Sequence, residues 1–227
     1  CYDRAVLAGR NLAKVSDYIV VGESIPGGTT TALGVLTALG YDAMGKVSST
    51  LPANPHSLKN QVVQEGLKAN GVGKDGFRND PMAAIEAVGD PMMAPAAGLV
   101  AGAAESVPVI MAGGTQMAAV LAVVKGMDSS ALKNVALGTT RWIMKDTTSD
   151  LRDLVSQIGK VPILSANLNF STSRYDGLKI YETGLVKEGV GAGGSTIAAI
   201  AQSEGRITAR TMLDEIEKNY ARLVSRR

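Results

Sequence analysis

The sequence predicts an α/β fold, a Rossmann-like, mostly parallel sheet with helices on both faces. Four short apolar runs, typical of buried strands, alternate with helical patterns along the 227 residues. Glycine-containing turns follow the first three runs, where each strand would pass into a helix. Right-handed crossovers between such strands would make the sheet doubly wound.

The predicted strands cover residues 18–21, 107–111, 135–137 and 161–164. Helical patterns cover 4–15, 29–39, 55–69, 116–126, 148–158, 174–187, 191–203 and 208–224, with two short buried helices within 81–105 and a loop over 70–80. Thr148 or Ser149 is the predicted cap of the helix over 148–158. Ligands of such sheets bind beyond the carboxyl ends of the strands, so we expect the site there.

The length suits one α/β core, so we expect residues 1–227 to form a single domain. The chain does not begin with Met, and we expect it to be a fragment of a longer chain that lacks its N-terminal part. A single cysteine, Cys1, excludes an internal disulfide and fits a reducing, cytoplasmic location. Cys1 and the lone histidine, His56, also leave no cysteine-based metal site and no two-histidine zinc site.

Charge and hydropathy exclude two classes of partner. A net charge of +2 without a basic run before the C-terminal tail gives no support for nucleic-acid binding. No run reaches about 18 consecutive apolar residues, so the sequence predicts no membrane-spanning segment.

The first motif, residues 22–31, follows the first strand and contains Gly27, Gly28, Thr29 and Thr30. Its glycine spacing resembles a P-loop, but Gly28 stands where a P-loop has lysine, which argues against an NTPase. Glycines and threonines at a helix N-terminus still suit a monophosphate, because free N–H groups and the helix dipole both favour an anion. A tight turn with a capping threonine is the alternative interpretation.

A second glycine pair, Gly113 and Gly114, follows the second strand and precedes another helix. It either contacts a ligand or only lets the helix approach the sheet. A third glycine-rich segment, residues 185–194, contains Glu188, Gly189 and Gly191. Its backbone would come close to a ligand, with Glu188 as a general base of raised pKa. The spacing alone favours a different interpretation, a helix that ends at a capping glycine and carries a solvated Glu188.

Three segments together resemble the nicotinate-nucleotide–dimethylbenzimidazole phosphoribosyltransferases, in particular a less characterised prokaryotic branch. They are GESIPGGTTTALGVLTALG (22–40), VPVIMAGGTQMAAVLA (107–122) and LVKEGVGAGGSTIAA (185–199), in the family's order. The chain is similar to the C-terminal two-thirds of the family. The resemblance implies transfer of ribose phosphate from nicotinate mononucleotide to a benzimidazole-type base. The products would be α-ribazole phosphate and nicotinate, on the route to the lower ligand of cobalamin.

The resemblance also implies a cytoplasmic homodimer that uses no metal and no cofactor, and it implies the site residues. Glu188 matches the family's base, and Glu23 matches a second family glutamate. Gly113-Gly114 matches a glycine pair before a helix, and Lys59 corresponds to a lysine that supports the phosphate. The implied donor site is completed by Gly27, Gly28, Thr29, Thr30, Gly189 and Gly191. Two positions depart from the family pattern, which has Asn at Gly28 and Thr at Val190. Most residues that bind benzimidazole would lie in the missing N-terminal part.

Other functions stay open at this point. The chain could be a nucleotide-binding module without chemistry, or it could transfer ribose phosphate to a different base. A phosphatase is disfavoured because the sequence has no acidic cluster such as Asp-x-Asp. An NAD-dependent dehydrogenase is disfavoured because no Gly-x-Gly-x-x-Gly motif follows a strand with an acidic residue about 20 positions further on.

Overall fold

The computed structural model describes residues 1–225, and a parallel four-stranded sheet lies at its centre. The strands are β1 (Ile19–Gly22), β2 (Val109–Ala112), β3 (Val135–Thr140) and β4 (Ile163–Ala166). The register aligns Val21, Met111, Leu137 and Ile163 across the sheet. Because all strands run the same way, their carboxyl ends lie along one edge.

Helices precede, connect and follow these strands, and most of them were predicted from the sequence. They are α1 (Tyr2–Ala13), α2 (Gly28–Ala38), α3 (His56–Ala69), α4 (Pro81–Val88), α5 (Met93–Ala104), α6 (Thr115–Met127), α7 (Arg141–Met144), α8 (Leu151–Ile158), α9 (Asp176–Lys179), α10 (Ala192–Gln202) and α11 (Ala209–Val224). Short 3-10 helices cover Ser129–Asn134 and Ile180–Thr183. In residues 1–225, no helix combines the length and the apolar character needed to cross a membrane.

The two faces of the sheet are covered differently. Met111 and Leu137 point into a large apolar core that also contains buried residues of α2, α5 and α6. Ala112 points to the opposite face, where Gly191 and Gly194 at the start of α10 lie against it. Helix α10 contacts all four strands. Helices therefore lie on both faces, and the predicted α/β class is confirmed.

The strand order differs from the predicted doubly wound one. The order is β1-β2-β3-β4, so each crossover leads to the next strand on the same side. A doubly wound sheet instead reverses direction near its middle. The pattern of strands and helices in a sequence is the same for both orders, so it could not distinguish them.

The predicted helix over 174–187 is wrong from residue 184 onward. After α9 and the 3-10 helix, the chain is non-helical from Gly184 to Gly191, and we call these residues the strap. Val186 and Val190 have φ angles of 53° and 48°, in the left-handed region that β-branched residues rarely occupy. Contacts with distant residues hold the strap in this shape, as described below.

The predicted cap of the helix over 148–158 is also wrong. Helix α8 begins at Leu151, and the carboxylate of Asp150 accepts a hydrogen bond from the Asp153 amide. The Thr148 hydroxyl is engaged elsewhere, since it donates to Asp146 and accepts a hydrogen bond from Asn54 Nδ2. The short helix α7, directly after β3, was not predicted.

Candidate active site at the carboxyl ends of the strands

A cavity of about 500 Å³ opens at the carboxyl ends of β1 and β2. Its walls come from the turn before α2, the loop before α3, the start of α6 and the strap. The lining residues are 23–30, 48–51, 114–116 and 188–190, with Pro55, Lys59 and Ile143. We call this space the polar cavity.

The structure brings most of the predicted site residues to this cavity. Glu23, Gly27, Gly28, Thr29, Thr30, Lys59, Gly114, Glu188 and Gly189 line it. Gly113 and Gly191 are not among its lining residues. The Gly113 amide donates to the Gly138 carbonyl at 2.9 Å, and a Cβ at residue 113 would lie 2.7 Å from Met117 Cγ. Gly191 has a φ of 72° and packs on Ala112. The contacts of these two glycines are therefore packing contacts with the sheet and α6.

Two helices begin at the polar cavity. Gly27, with a φ of 77°, turns the chain into α2, and Gly114 precedes α6. The first amides of a helix have no partner within the helix, and the helix dipole adds positive potential there. Both helix ends therefore favour an anion in the space between them.

Lys59 adds a positive charge to the same wall. Its side chain is buried, and its ammonium donates to Thr29 Oγ1 at 2.8 Å and to the Ser48 carbonyl. Burial, together with the positive charge of Lys187, lowers the pKa of Lys59 to about 8, although Asp146 opposes the shift. Lys59 is thus positioned by α3 beside the turn that begins α2.

Glu188 lies where the strap passes the end of β3. Its Oε2 accepts hydrogen bonds from the Thr140 amide at 3.0 Å and from Thr139 Oγ1 at 3.3 Å. Its Oε1 accepts from the amides of Gly189 at 3.0 Å and Gly193 at 3.3 Å. Burial raises the pKa of Glu188, and these hydrogen bonds only partly offset the effect. The interpretation of Glu188 as a solvated residue at a helix end is therefore wrong.

Glu23 is a second carboxylate on the wall of the polar cavity. Its Oε2 accepts a hydrogen bond from the Ile25 amide at 3.0 Å. Burial raises its pKa, the Ile25 amide opposes this, and the negative charge of Asp90 adds to the rise. Within residues 1–225, no group of three or more His, Cys, Asp or Glu side chains is arranged to hold a metal ion.

A second cavity of about 440 Å³ meets the polar cavity at Glu188, which lines both. Its walls are mostly apolar and come from α7, α10, α11 and the segment after β4. Trp142, Phe170 and Tyr181 form an aromatic cluster on it, with the Trp142 ring centroid 4.9 Å from that of Phe170 and 5.0 Å from that of Tyr181. The other lining residues include Leu168, Leu178, Ala192, Ser195, Thr196, Ala199, Met212 and Ile216. We call this space the apolar pocket.

A buried ion pair fixes the strap next to Glu188. The Lys187 ammonium lies 2.6 Å from Asp146 Oδ2, and the two side chains are only 2% and 3% exposed. Asn54 Nδ2 donates to the same carboxylate oxygen at 3.0 Å. Burial raises the pKa of Asp146, but the hydrogen bonds from Lys187, Asn54 and Thr148 outweigh it and hold the pKa well below its usual range.

Comparison with known proteins decides the family. Residues 2–169 match the family model described as "Phosphoribosyltransferase". The chain belongs to this phosphoribosyltransferase family. The family resemblance found in the sequence is thereby confirmed.

The chain is also similar to two proteins that carry the name UPF0284. The chain is 44% identical over 222 residues to a UPF0284 protein of Sulfolobus acidocaldarius, covering 98% of this chain and 62% of that protein. It is 46% identical over 200 residues to a UPF0284 protein of Methanothermobacter thermautotrophicus, covering 88% of this chain and 55% of that protein. The chain therefore spans somewhat more than half the length of these relatives.

Solved structures share the fold. The crystal structure of CobT from Thermus thermophilus matches with a TM-score of 0.53 at 20% identity, over 84% of this chain and 52% of that chain. A nicotinate-nucleotide–dimethylbenzimidazole phosphoribosyltransferase from the same organism matches with a TM-score of 0.52 at 18% identity, over 91% and 59%. At these identities the likeness concerns the fold alone.

Sequence reasoning missed three parts of this candidate site. The aromatic residues of the apolar pocket were not predicted, because they lie in three separate segments of a chain with only 4% aromatic residues. The Lys187–Asp146 pair joins residues 41 positions apart, so no local pattern reveals it. Gln116 lines the polar cavity, and the sequence places it just beyond the second strand, but its side chain was not among the predicted site residues.

Proposed function

We propose that the chain catalyses transfer of ribose phosphate from nicotinate mononucleotide to a benzimidazole-type base, giving α-ribazole phosphate and nicotinate. One observation carries this proposal: the partly buried Glu188 carboxylate lies between a polar cavity and an apolar pocket. A transferase needs its base where donor and acceptor meet, and Glu188 occupies such a position. The family membership supports the same reaction class.

The polar cavity suits the donor. The starts of α2 and α6 and the Lys59 ammonium face it and favour the phosphate group. Its volume of about 500 Å³ lies within the usual range for small-molecule sites. The turns at 27–30 and 114–116 line the same cavity as Glu188, so one bound ribose phosphate can contact both.

The apolar pocket suits the acceptor. A benzimidazole is planar and largely apolar, and the cluster of Trp142, Phe170 and Tyr181 offers aromatic surface for packing. The ion pair between Arg141 and Glu182 supports this cluster, because Glu182 also accepts a hydrogen bond from the Phe170 amide at 2.8 Å. The chain itself thus provides an acceptor surface, in addition to whatever the rest of a longer protein supplies.

The reaction needs one proton transfer. One ring nitrogen of the acceptor attacks C1′ with its lone pair, and the N–H proton on the other ring nitrogen passes to Glu188. The bond between C1′ and the nicotinate nitrogen breaks, and its electron pair neutralises the positive charge of the pyridinium ring. Nicotinate therefore leaves without an acid. A carboxylate whose pKa burial has raised is a stronger base for this step.

The test replaces Glu188 with Gln, which keeps the size of the side chain and removes the base. We expect nicotinate release to slow by about 10²–10⁴-fold, the usual contribution of a general base, with unchanged binding of nicotinate mononucleotide. Release is measured by chromatography with a panel of benzimidazoles and purines, and thermal unfolding checks the fold. Activity within a few-fold of the parent would exclude this role. A parent chain that binds the nucleotide but never consumes it would instead support a non-catalytic module.

A further inference from the structure

Position 28 has no room for a side chain. It is the first residue of α2, and the left-handed turn that precedes the helix is made by Gly27. A Cβ atom on residue 28 would overlap with the terminal carboxamide of Gln116, with its carbon, oxygen and nitrogen atoms alike. The carboxamide of Gln116 therefore fills the place that a side chain at position 28 would take.

Gln116 itself is a buried polar side chain in an unusual position. It is the second residue of α6, it lines the polar cavity, and it is only 4% exposed. Its Nε2 donor has no hydrogen-bond partner among residues 1–225. Buried donors without a partner are rare in folded proteins, and each of them requires an explanation. The neighbouring Thr115 shows the contrast, because its hydroxyl is paired with Ser48.

The surroundings of Gln116 indicate what kind of ligand could accept a hydrogen bond from its Nε2 group. The carboxamide lies on Gly28, between the first turns of α2 and α6, and Lys59 is anchored on the adjacent Thr29. These groups present N–H donors and positive potential, so an anion with several acceptor oxygens matches them. The last torsion of a glutamine side chain is broad and two-fold. The amide can therefore turn its N–H toward the cavity while it stays in the space above Gly28.

We propose that Gln116 recognises the phosphate group of the donor, and that Gly28 leaves room for its carboxamide. The group that Gln116 would recognise is a phosphate monoester. The inference rests on the proposed function only for which nucleotide carries that group. The two residues form a pair, because the carboxamide of Gln116 at the start of α6 takes the space that a side chain on residue 28, at the start of α2, would occupy.

The test compares ligands with and without phosphate. Binding of nicotinate mononucleotide, its dephosphorylated nucleoside and inorganic phosphate is measured by calorimetry for the parent chain and Gln116→Leu. Loss of one hydrogen bond to a charged group should weaken nucleotide binding roughly 10- to 100-fold and leave nucleoside binding unchanged. Gln116→Glu should weaken nucleotide binding further by charge repulsion. Gln64→Leu, at an exposed position of α3, is the matched control and should change neither affinity.

Gly28→Ala tests the second half of the proposal. Its methyl group should displace the carboxamide, weaken nucleotide binding as Gln116→Leu does, and add nothing when the two changes are combined. Thermal unfolding checks each variant, and Gln116→Met replaces Gln116→Leu if the branched side chain prevents folding. Unchanged nucleotide affinity in the Gln116 variants, or an equal loss of nucleoside affinity, would overturn the assignment. Additive losses would overturn the pairing with Gly28.

The reaction and this assignment can fail separately. If the parent chain binds nicotinate mononucleotide and Gln116→Leu weakens it, the assignment holds even when no base in the panel accepts the ribose phosphate. If nicotinate is released with an acceptor but Gln116→Leu binds the nucleotide as tightly as the parent, the assignment fails and the proposed reaction stands. A parent chain that binds neither the nucleotide nor inorganic phosphate overturns the assignment.

Discussion

At the scale of single residues, the environment of Glu188 determines when it can act as a base. Burial favours the neutral acid, whereas the amides of Thr140, Gly189 and Gly193 favour the carboxylate. The balance leaves the pKa above its ordinary value. The raised pKa makes the carboxylate a stronger base for a proton of a bound ligand.

This environment predicts the pH dependence of the reaction. Only the deprotonated Glu188 can accept a proton, so kcat/KM should rise with pH through a midpoint above the ordinary glutamate value of about 4.3. The profile is measured by nicotinate release from about pH 4, near the ordinary glutamate value, up to neutral pH. The residual rate of Glu188→Gln should not rise with pH in this way. This comparison separates the titration of the enzyme from that of the substrates. A parent profile that is flat across the acidic range would contradict the prediction.

Lys59 predicts a pH dependence of the opposite sign. Its pKa is lowered to about 8, so the free chain loses this positive charge as the pH rises through that value. Affinity for nicotinate mononucleotide should therefore fall from pH 7 to pH 9, a range of about one unit on each side of that pKa. Calorimetry at each pH measures the effect. Lys59→Met should bind the nucleotide weakly and lose this dependence, and an equal slope in both proteins would refute the role of Lys59.

At the scale of elements, the strap shows most clearly what the sequence could and could not predict. The four strands and most helices follow from local patterns of apolar residues, so they were predicted within a few positions. The first part of the strap, up to residue 187, looks like a continuation of a helix in the sequence, because nothing local indicates the positive φ of Val186. Its shape depends on Asp146, which lies more than forty residues earlier in the chain.

The ion pair that holds the strap predicts a large effect on stability. Lys187→Met should destabilise the fold by about 3–5 kcal/mol, because it leaves the buried Asp146 carboxylate without its counter-charge. Urea unfolding followed by circular dichroism measures the change. Combining Lys187→Met with Asp146→Asn, which removes the unpaired charge and keeps an oxygen acceptor for Thr148, should restore part of the loss. Arg210→Met removes an exposed pair with Asp214 and should have a much smaller effect. Equal losses in the two single variants would contradict the argument.

At the scale of the whole molecule, parallel strands bring separate motifs to one edge. Gly27, Gly114 and Glu188 are far apart in the sequence, yet they line the same cavity. This convergence was predictable, because ligands of parallel sheets lie beyond the carboxyl ends. The apolar pocket was not, since its walls depend on how α10 and α11 pack against the segment after β4.

Filling the apolar pocket should affect the acceptor alone. Ala199→Leu adds a larger side chain to the pocket wall and should raise the KM for a benzimidazole at least several-fold, with the KM for nicotinate mononucleotide unchanged. Steady-state kinetics with each substrate varied in turn measures the two constants. Ala201→Leu, at an exposed position on the same helix, is the matched control. A rise in the KM for the nucleotide instead would place the acceptor elsewhere.

The close packing of α10 on the sheet has a consequence for how this site can change. A Cβ on Gly193 would overlap with the backbone of Thr139, so the helix start and the end of β3 are in direct contact. The same two segments supply the amides that hold the Glu188 carboxylate. Any residue larger than glycine at position 193 would push the two segments apart and release the Glu188 carboxylate at the same time. The packing of α10 on the sheet and the position of the Glu188 carboxylate therefore depend on the same contact, and a substitution that changes one also changes the other.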